Sequence, residues 1–164
     1  MKNILSIILL VFLVSCDPGL TLPQGEKPGI AGTITFQGPW PPADSLHDLR
    51  IIASPIFPID TAKTNLMFLV LQGVIQVYPA LAESGLPFNV ASITYEFPLP
   101  RGEYKYVAVF QQYASSLVAW RPVGVYTGGK PGFKPVSIKI DGTELIRDIS
   151  IDVDFRNLPP LPFE

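Results

Sequence analysis

The chain has 164 residues, with 12 basic and 14 acidic side chains, a formal net charge of −2, one His and one Cys. That balance cannot track a phosphate backbone, which excludes nucleic acid as a partner, and one Cys with one His excludes an internal disulfide and the usual zinc ligand sets. The 18 Pro and 13 Gly are spread between β-branched and aromatic runs, so long helices have little room and an all-β class is expected.

The chain opens with Lys2, an apolar stretch over residues 4–14, and Ser15-Cys16. A positive start, a short apolar run and a small residue before a cut is the order of a signal peptide. The run is too short to span a bilayer core, which takes roughly 20 helical residues. The residues Leu13-Val14-Ser15-Cys16 resemble the bacterial lipobox. The resemblance implies that residues 1–15 are removed and that Cys16 carries a diacylglyceryl thioether, with acylation of the new amine. A thiol is the side chain best suited to such selective alkylation. Two or three acyl chains, at about 0.8 kcal/mol per buried CH₂, anchor stably where one chain is marginal. Removing residues 1–15 takes away Lys2, leaving 11 basic against 14 acidic residues and a charge of −3. Asp17 resembles an inner-membrane retention signal of enterobacterial lipoproteins. That rule does not extend to other phyla, and the outer membrane or cell surface is the favoured address.

Residues 16–28 read as the lipidated N-terminus and a Pro/Gly-rich tether, residues 29–158 as one domain, and residues 159–164 as a C-terminal tail. Ile30, Ile34 and Phe36 share parity and suit one buried face of a first strand. Gly38-Pro39-Trp40-Pro41-Pro42 ends it, and residues 49–53 form a second strand. Residues 64–82 hold two apolar runs on either side of Gln72-Gly73. A hairpin and a helix-like insertion both fit, and β-branched content with the central Gly favours extended structure. Ile93, Tyr95 and Phe97 alternate with Ser92, Thr94 and Glu96. Residues 103–110 are apolar on both parities for most of their length, as in a central strand covered on both faces. A strand or pair of short strands over residues 117–126 is broken at Pro122. Val136, Ile138 and Ile140, then Ile149, Ile151, Val153 and Phe155, form two more alternating runs, and Asp141-Gly142 between them is a hairpin signal. Seven or eight strands at this spacing suggest an antiparallel sandwich.

Gly29-Ile30-Ala31-Gly32-Thr33-Ile34 resembles the opening I-x-G-x-I strand of transthyretin-like domains, a group that includes carboxypeptidase regulatory-like domains. Residues 95–108 resemble their F-x-L-x-P-G-x-Y-x-V-x-A hairpin, with Arg101 where a Pro is usual and with the extra apolar segment 64–82. The resemblance implies an Ig-like β-sandwich and an accessory, adhesive or spacing role. A fold alone does not assign a function.

No catalytic set is expected. His47 lies near Asp44, Ser45 and Asp48, but neighbours in one loop rarely reach triad geometry, and no nucleophile elbow accompanies it. Asp148, Asp152 and Asp154 read as a solvated strand face, paired with Lys139 across the hairpin, because a strand spaces carboxylates too widely to wrap one ion. Gly128-Gly129-Lys130 lacks the phosphate-loop pattern and reads as a turn. No cofactor and no metal are expected. The candidate binding surface comprises Trp40, Leu66, Phe68, Val70, Val74, Tyr78 and Trp120, with burial in the core as the plainer alternative for the 64–82 segment and for Trp120. The expectation is therefore a non-catalytic, lipid-anchored envelope protein that binds another envelope protein or spaces an assembly. The alternative is a binding module for a glycan or an apolar small molecule.

Overall fold

The computed structural model describes residues 27–60 and 66–163; the expected signal peptide, Cys16 and most of the expected tether fall outside them. The described chain is all-β apart from one short helix and a 3₁₀ turn at Ala43–Ser45. The strands are β1 (Gly29–Gln37), β2 (Asp48–Ser54), β3 (Gln76–Tyr78), β4 (Ser92–Pro98), β5 (Gly102–Tyr104), β6 (Tyr106–Gln112), β7 (Trp120–Val125), β8 (Ile138–Ile140), β9 (Leu145–Ile146) and β10 (Ile151–Asp154), and the helix is α1 (Leu66–Leu71). One sheet runs β10-β1-β4, with β9 also on β1; a second runs β3-β2-β6-β7; β5 and β8 pair by themselves. Ten short strands are described where seven or eight were expected: the run after residue 101 divides at Lys105 between two sheets, and Leu145–Ile146 adds a two-residue strand on β1. The pairing is not purely antiparallel either. β1 runs parallel to both β9 and β10.

The inner faces of the two larger sheets share one cluster, including Ile30, Ile34, Ile51, Tyr95, Phe97, Val107, Val109, Ile151 and Val153. A second cluster covers the opposite face of the β3-β2-β6-β7 sheet, with Ile52, Tyr106, Ala108, Phe110 and Leu69. That double coverage explains why β6 is apolar on both parities. β4 behaves as its alternation predicts: Tyr95 and Phe97 are buried, while Ser92, Thr94 and Glu96 are exposed.

Two expected hairpins are absent. β8 pairs with β5 and β10 with β1, so Asp141-Gly142 does not join adjacent strands. Lys139 consequently bonds Asp141 at 3.0 Å and not the β10 carboxylates. Likewise β4 pairs with β1, while β6 lies between β2 and β7, so residues 99–105 carry the chain from one sheet to the other. Leu99, 2% exposed, is driven inward at that crossing. Prolines 98 and 100 remove N–H donors on either side of it, which ends the ladder.

Gly32 shows why the first strand reads I-x-G-x-I. It faces Tyr95 across β1–β4. The Tyr95 hydroxyl crosses β1 there and donates to the Ile149 carbonyl at 2.6 Å. Ile149 N–H in turn donates to Ala31 O at 3.0 Å. Ile149 sits in the break between β9 and β10, where Asp148 takes a left-handed φ of 65°.

Tyr106 has the opposite circumstance. It stacks on Phe57, with ring centroids 5.1 Å apart, and its buried hydroxyl has no partner among the described residues. Burial pushes both phenols well above the ordinary value of 10.0, with Tyr126 adding to the effect at Tyr95. Tyr95→Phe should lower stability by about 1–2 kcal/mol, since a buried carbonyl loses its donor, whereas Tyr106→Phe should be neutral or stabilising by up to about 1 kcal/mol. Because the folded pKa values lie above the unfolded ones, their contribution is complete below pH 10 and is lost as pH rises further. Tyr106→Phe should therefore flatten the alkaline fall in stability by about 1.4 kcal/mol per pH unit. Urea titrations at pH 9 to 11.5 measure both effects; equal slopes for the variant and the parent would contradict the assignment.

Candidate functional site

The apolar segment after residue 65 begins as a helix, correcting the expectation of extended structure there. Leu66, Leu69 and Val70 recur at helical spacing and turn toward the sheet. Gly73, at φ 70°, ends the helix. Its N–H donates to Val70 O at 2.9 Å and Val74 N–H donates to Leu69 O at 3.0 Å. This is the Schellman arrangement, with Val74 and Leu69 in one apolar cluster as the motif requires. The glycine that suggested a hairpin is thus a helix terminator. Only then does the chain extend into β3, pairing with β2.

α1 forms one wall of an apolar groove over the outer face of the β3-β2-β6-β7 sheet. Ile52, Val77, Phe110 and Trp120 line it from the sheet, Leu66, Met67 and Val70 from the helix, Leu81 from the segment after β3, and Leu117 and Val118 from the β6–β7 connection. That connection is tied by Ala119 N–H to Ser116 O and Tyr113 N–H to Ala119 O, both 3.0 Å. Trp120 Nε1 donates to Leu117 O at 3.1 Å, and Arg121 lies over the Tyr113 ring at 5.4 Å. The loop thereby holds Leu117 and Val118 outward, 74% and 68% exposed. Leu71 at 71% and Phe68 at 55% project from α1. Leu117 and Val118 at the groove, with Phe68 and Leu71 on α1, are large apolar side chains left exposed to solvent.

Arg50 fixes the third wall. It is 5% exposed, yet its guanidinium is almost fully used. Nε donates to Asp48 Oδ2 at 2.6 Å; Nη1 donates to the carbonyls of Pro79 at 2.8 Å and Ala80 at 2.7 Å, and Nη2 to that of Glu83 at 2.9 Å. Leu81 lies inside this span. This buried cation is committed to holding the backbone of residues 79–83.

Of the residues singled out in the sequence, Leu66, Val70 and Trp120 line the groove. Phe68 projects from α1 and Val74 packs beside the same cluster. Tyr78 turns to the inner core, 5.3 Å from Phe97. Trp40 is separate again, packed between Phe36 at 4.7 Å and Phe155 at 4.8 Å. Cys16 lies outside the described residues. Sequence reading missed Arg50, Met67, Leu81, Leu117 and Val118. The adjacent Leu117-Val118 in a Ser-rich turn was the available signal, since two large apolar residues at a turn have no local reason to be there.

The polar candidates do not assemble. His47 is exposed and contacts Asp44 O at 3.1 Å. Asp154 accepts from Arg156 N and Nε at 3.0 and 3.1 Å, and these bonds hold its carboxyl below the ordinary range. Among the described residues no three His, Cys, Asp or Glu side chains are grouped to hold a metal ion, and no helix is long and apolar enough to cross a membrane. No family model matches the chain, and neither a curated protein nor a solved structure matches it. The site therefore stands on its own geometry. The groove's cavity, about 60 Å³, is far smaller than the roughly 300–1,000 Å³ of a small-molecule site. It accepts a side chain or a short alkyl segment.

Proposed function

We propose that this chain is a non-catalytic, lipid-anchored bacterial envelope protein, held through Cys16 at the outer membrane or cell surface, whose transthyretin-like sandwich domain binds another envelope protein. The observation that carries the binding role is the apolar groove with its outward Leu117 and Val118. The lipobox residues Leu13-Val14-Ser15-Cys16 support the anchor, and residues 17–28 supply the spacing from the bilayer. The small cavity and protruding rim favour apolar side chains of a protein over an enclosed ligand. The apolar lining supports a second reading, an apolar small molecule seated against Trp120; Trp40, engaged by two Phe rings, gives little support to glycan stacking.

The anchor and the groove are tested separately in one strain set. Cys16→Ala should abolish incorporation of an alkyne fatty acid and release the chain from the membrane fraction; retained label would refute the anchor. A photocrosslinking side chain at Val118 should give one discrete protein adduct, lost when Leu117→Ser is added. Adducts with lipid alone, or a saturable Trp120 fluorescence change with a short alkyl probe and no protein adduct, would replace the protein-partner reading.

A further inference from the structure

Sheet edges expose unpaired N–H and C=O groups, and folded proteins protect them by shortness, Pro, bulges or cover. Of the four edges of the two larger sheets, three are protected along their length. β3 has three residues. β7 carries Pro122, and the β6–β7 register slips between Val109 and Phe110. β10 lies against β7, close enough that a Cβ on Gly124 would stand 2.6 Å from Asp152 O.

β4 carries a Pro only at its last residue, Pro98, and a single charge, Glu96; from Ser92 to Phe97 it is neither short, bulged nor covered by another strand among the described residues. It pairs with β1 over seven residues without a register shift and, among the described residues, with no other strand. Phe36 N–H donates to Ala91 O and Leu99 N–H to Pro28 O, both 2.9 Å. In an antiparallel ladder the peptide groups alternate, so Ile93, Tyr95 and Phe97 bond to β1 while Ser92, Thr94 and Glu96 turn theirs outward.

We propose that this open edge pairs with β4 of a second copy of the chain, antiparallel and centred on Thr94. Centring there sets Thr94 opposite Thr94, and Ser92 of each copy opposite Glu96 of the other. Every outward peptide group is then used, in three facing pairs that exchange two hydrogen bonds each. Charge selects the register: Glu96 meets a hydroxyl, whereas centring on residue 96 would set two carboxylates face to face. On the inner side half-buried Ile93 comes opposite the other copy's Tyr95, an aliphatic–aromatic cross-strand pair. This interface is separate from the groove and does not depend on the anchor.

The full chain in density-matched detergent should sediment as a dimer. Thr94→Glu places two carboxylates opposite each other at an exposed position and should raise the dimer dissociation constant tenfold or more. Thr94→Pro, which removes an outward N–H, should do the same with the near-ultraviolet circular dichroism unchanged. Leu117→Ser should remain dimeric. A monomeric parent, or a dimer that survives Thr94→Glu, overturns the proposal; a dimer lost only in Leu117→Ser belongs to the groove and overturns it too.

Discussion

Gly32→Ala is expected to cost about 4 kcal/mol or more, enough to lower the midpoint of thermal unfolding by some 15 °C in a domain of this size. A Cβ at position 32 would stand 2.1 Å from Ile149 O and 2.5 Å from Ile149 C. Both are backbone atoms, so no side-chain rotation relieves the clash. Moving Ile149 would also break its hydrogen bonds with Tyr95 and Ala31 and disturb the register by which β9 and β10 share β1. Gly142→Ala is the control, because its Cβ would meet only Glu144 N at 3.8 Å. It should change stability by less than about 0.5 kcal/mol. Parallel thermal melts decide the matter: two variants of equal stability would show that the close approach at Ile149 is not what demands glycine.

Arg50→Met should cost about 3 kcal/mol while preserving most of the side chain's packing. The loss strands a largely buried Asp48 carboxylate and removes the donor from three carbonyls. Arg50→Lys should recover little, because one ammonium cannot reproduce a planar fork that meets a carboxylate and three carbonyls in different directions. The effect should extend to the groove, since Leu81 is carried on the segment that Arg50 holds. Urea unfolding gives the cost, and amide exchange over residues 79–83 should quicken in both variants. Full protection of that segment in Arg50→Met would show that the clamp is dispensable.

How far the fold was legible depended on what signal each element offers. Alternation exposed β4, because one face meets the core and the other meets water. Apolar character on both parities exposed β6 as a covered strand. The Leu69-to-Val74 run was ambiguous, since a glycine at positive φ serves a hairpin and a helix terminus alike. What separated them was tertiary: Leu66, Leu69 and Val70 find a common apolar sheet face only when wound as a helix. Asp141-Gly142 misled for a similar reason. A turn sequence specifies a local reversal and not the partner of the strand that leaves it, and Ile149, Ile151 and Val153 reached the core beside β1.

The site was legible in part. Leu66, Val70 and Trp120 stood out as large apolar residues in doubtful surroundings. Leu81, Leu117 and Val118 join them only through long-range contacts. Arg50 looked like an ordinary charge in a strand, because its four hydrogen-bonded oxygens include three from residues about thirty positions away.

By itself the sequence determined the all-β class, the alternating faces of β4 and the two-sided burial of β6, because these follow from composition and short-range periodicity. Tertiary structure alone decided the parallel placement of β9 and β10 on β1, the winding of α1, the groove it walls and the open edge of β4. Each of these depends on which distant segment wins a given face, and that competition is settled by packing and hydrogen-bond geometry that no local pattern encodes.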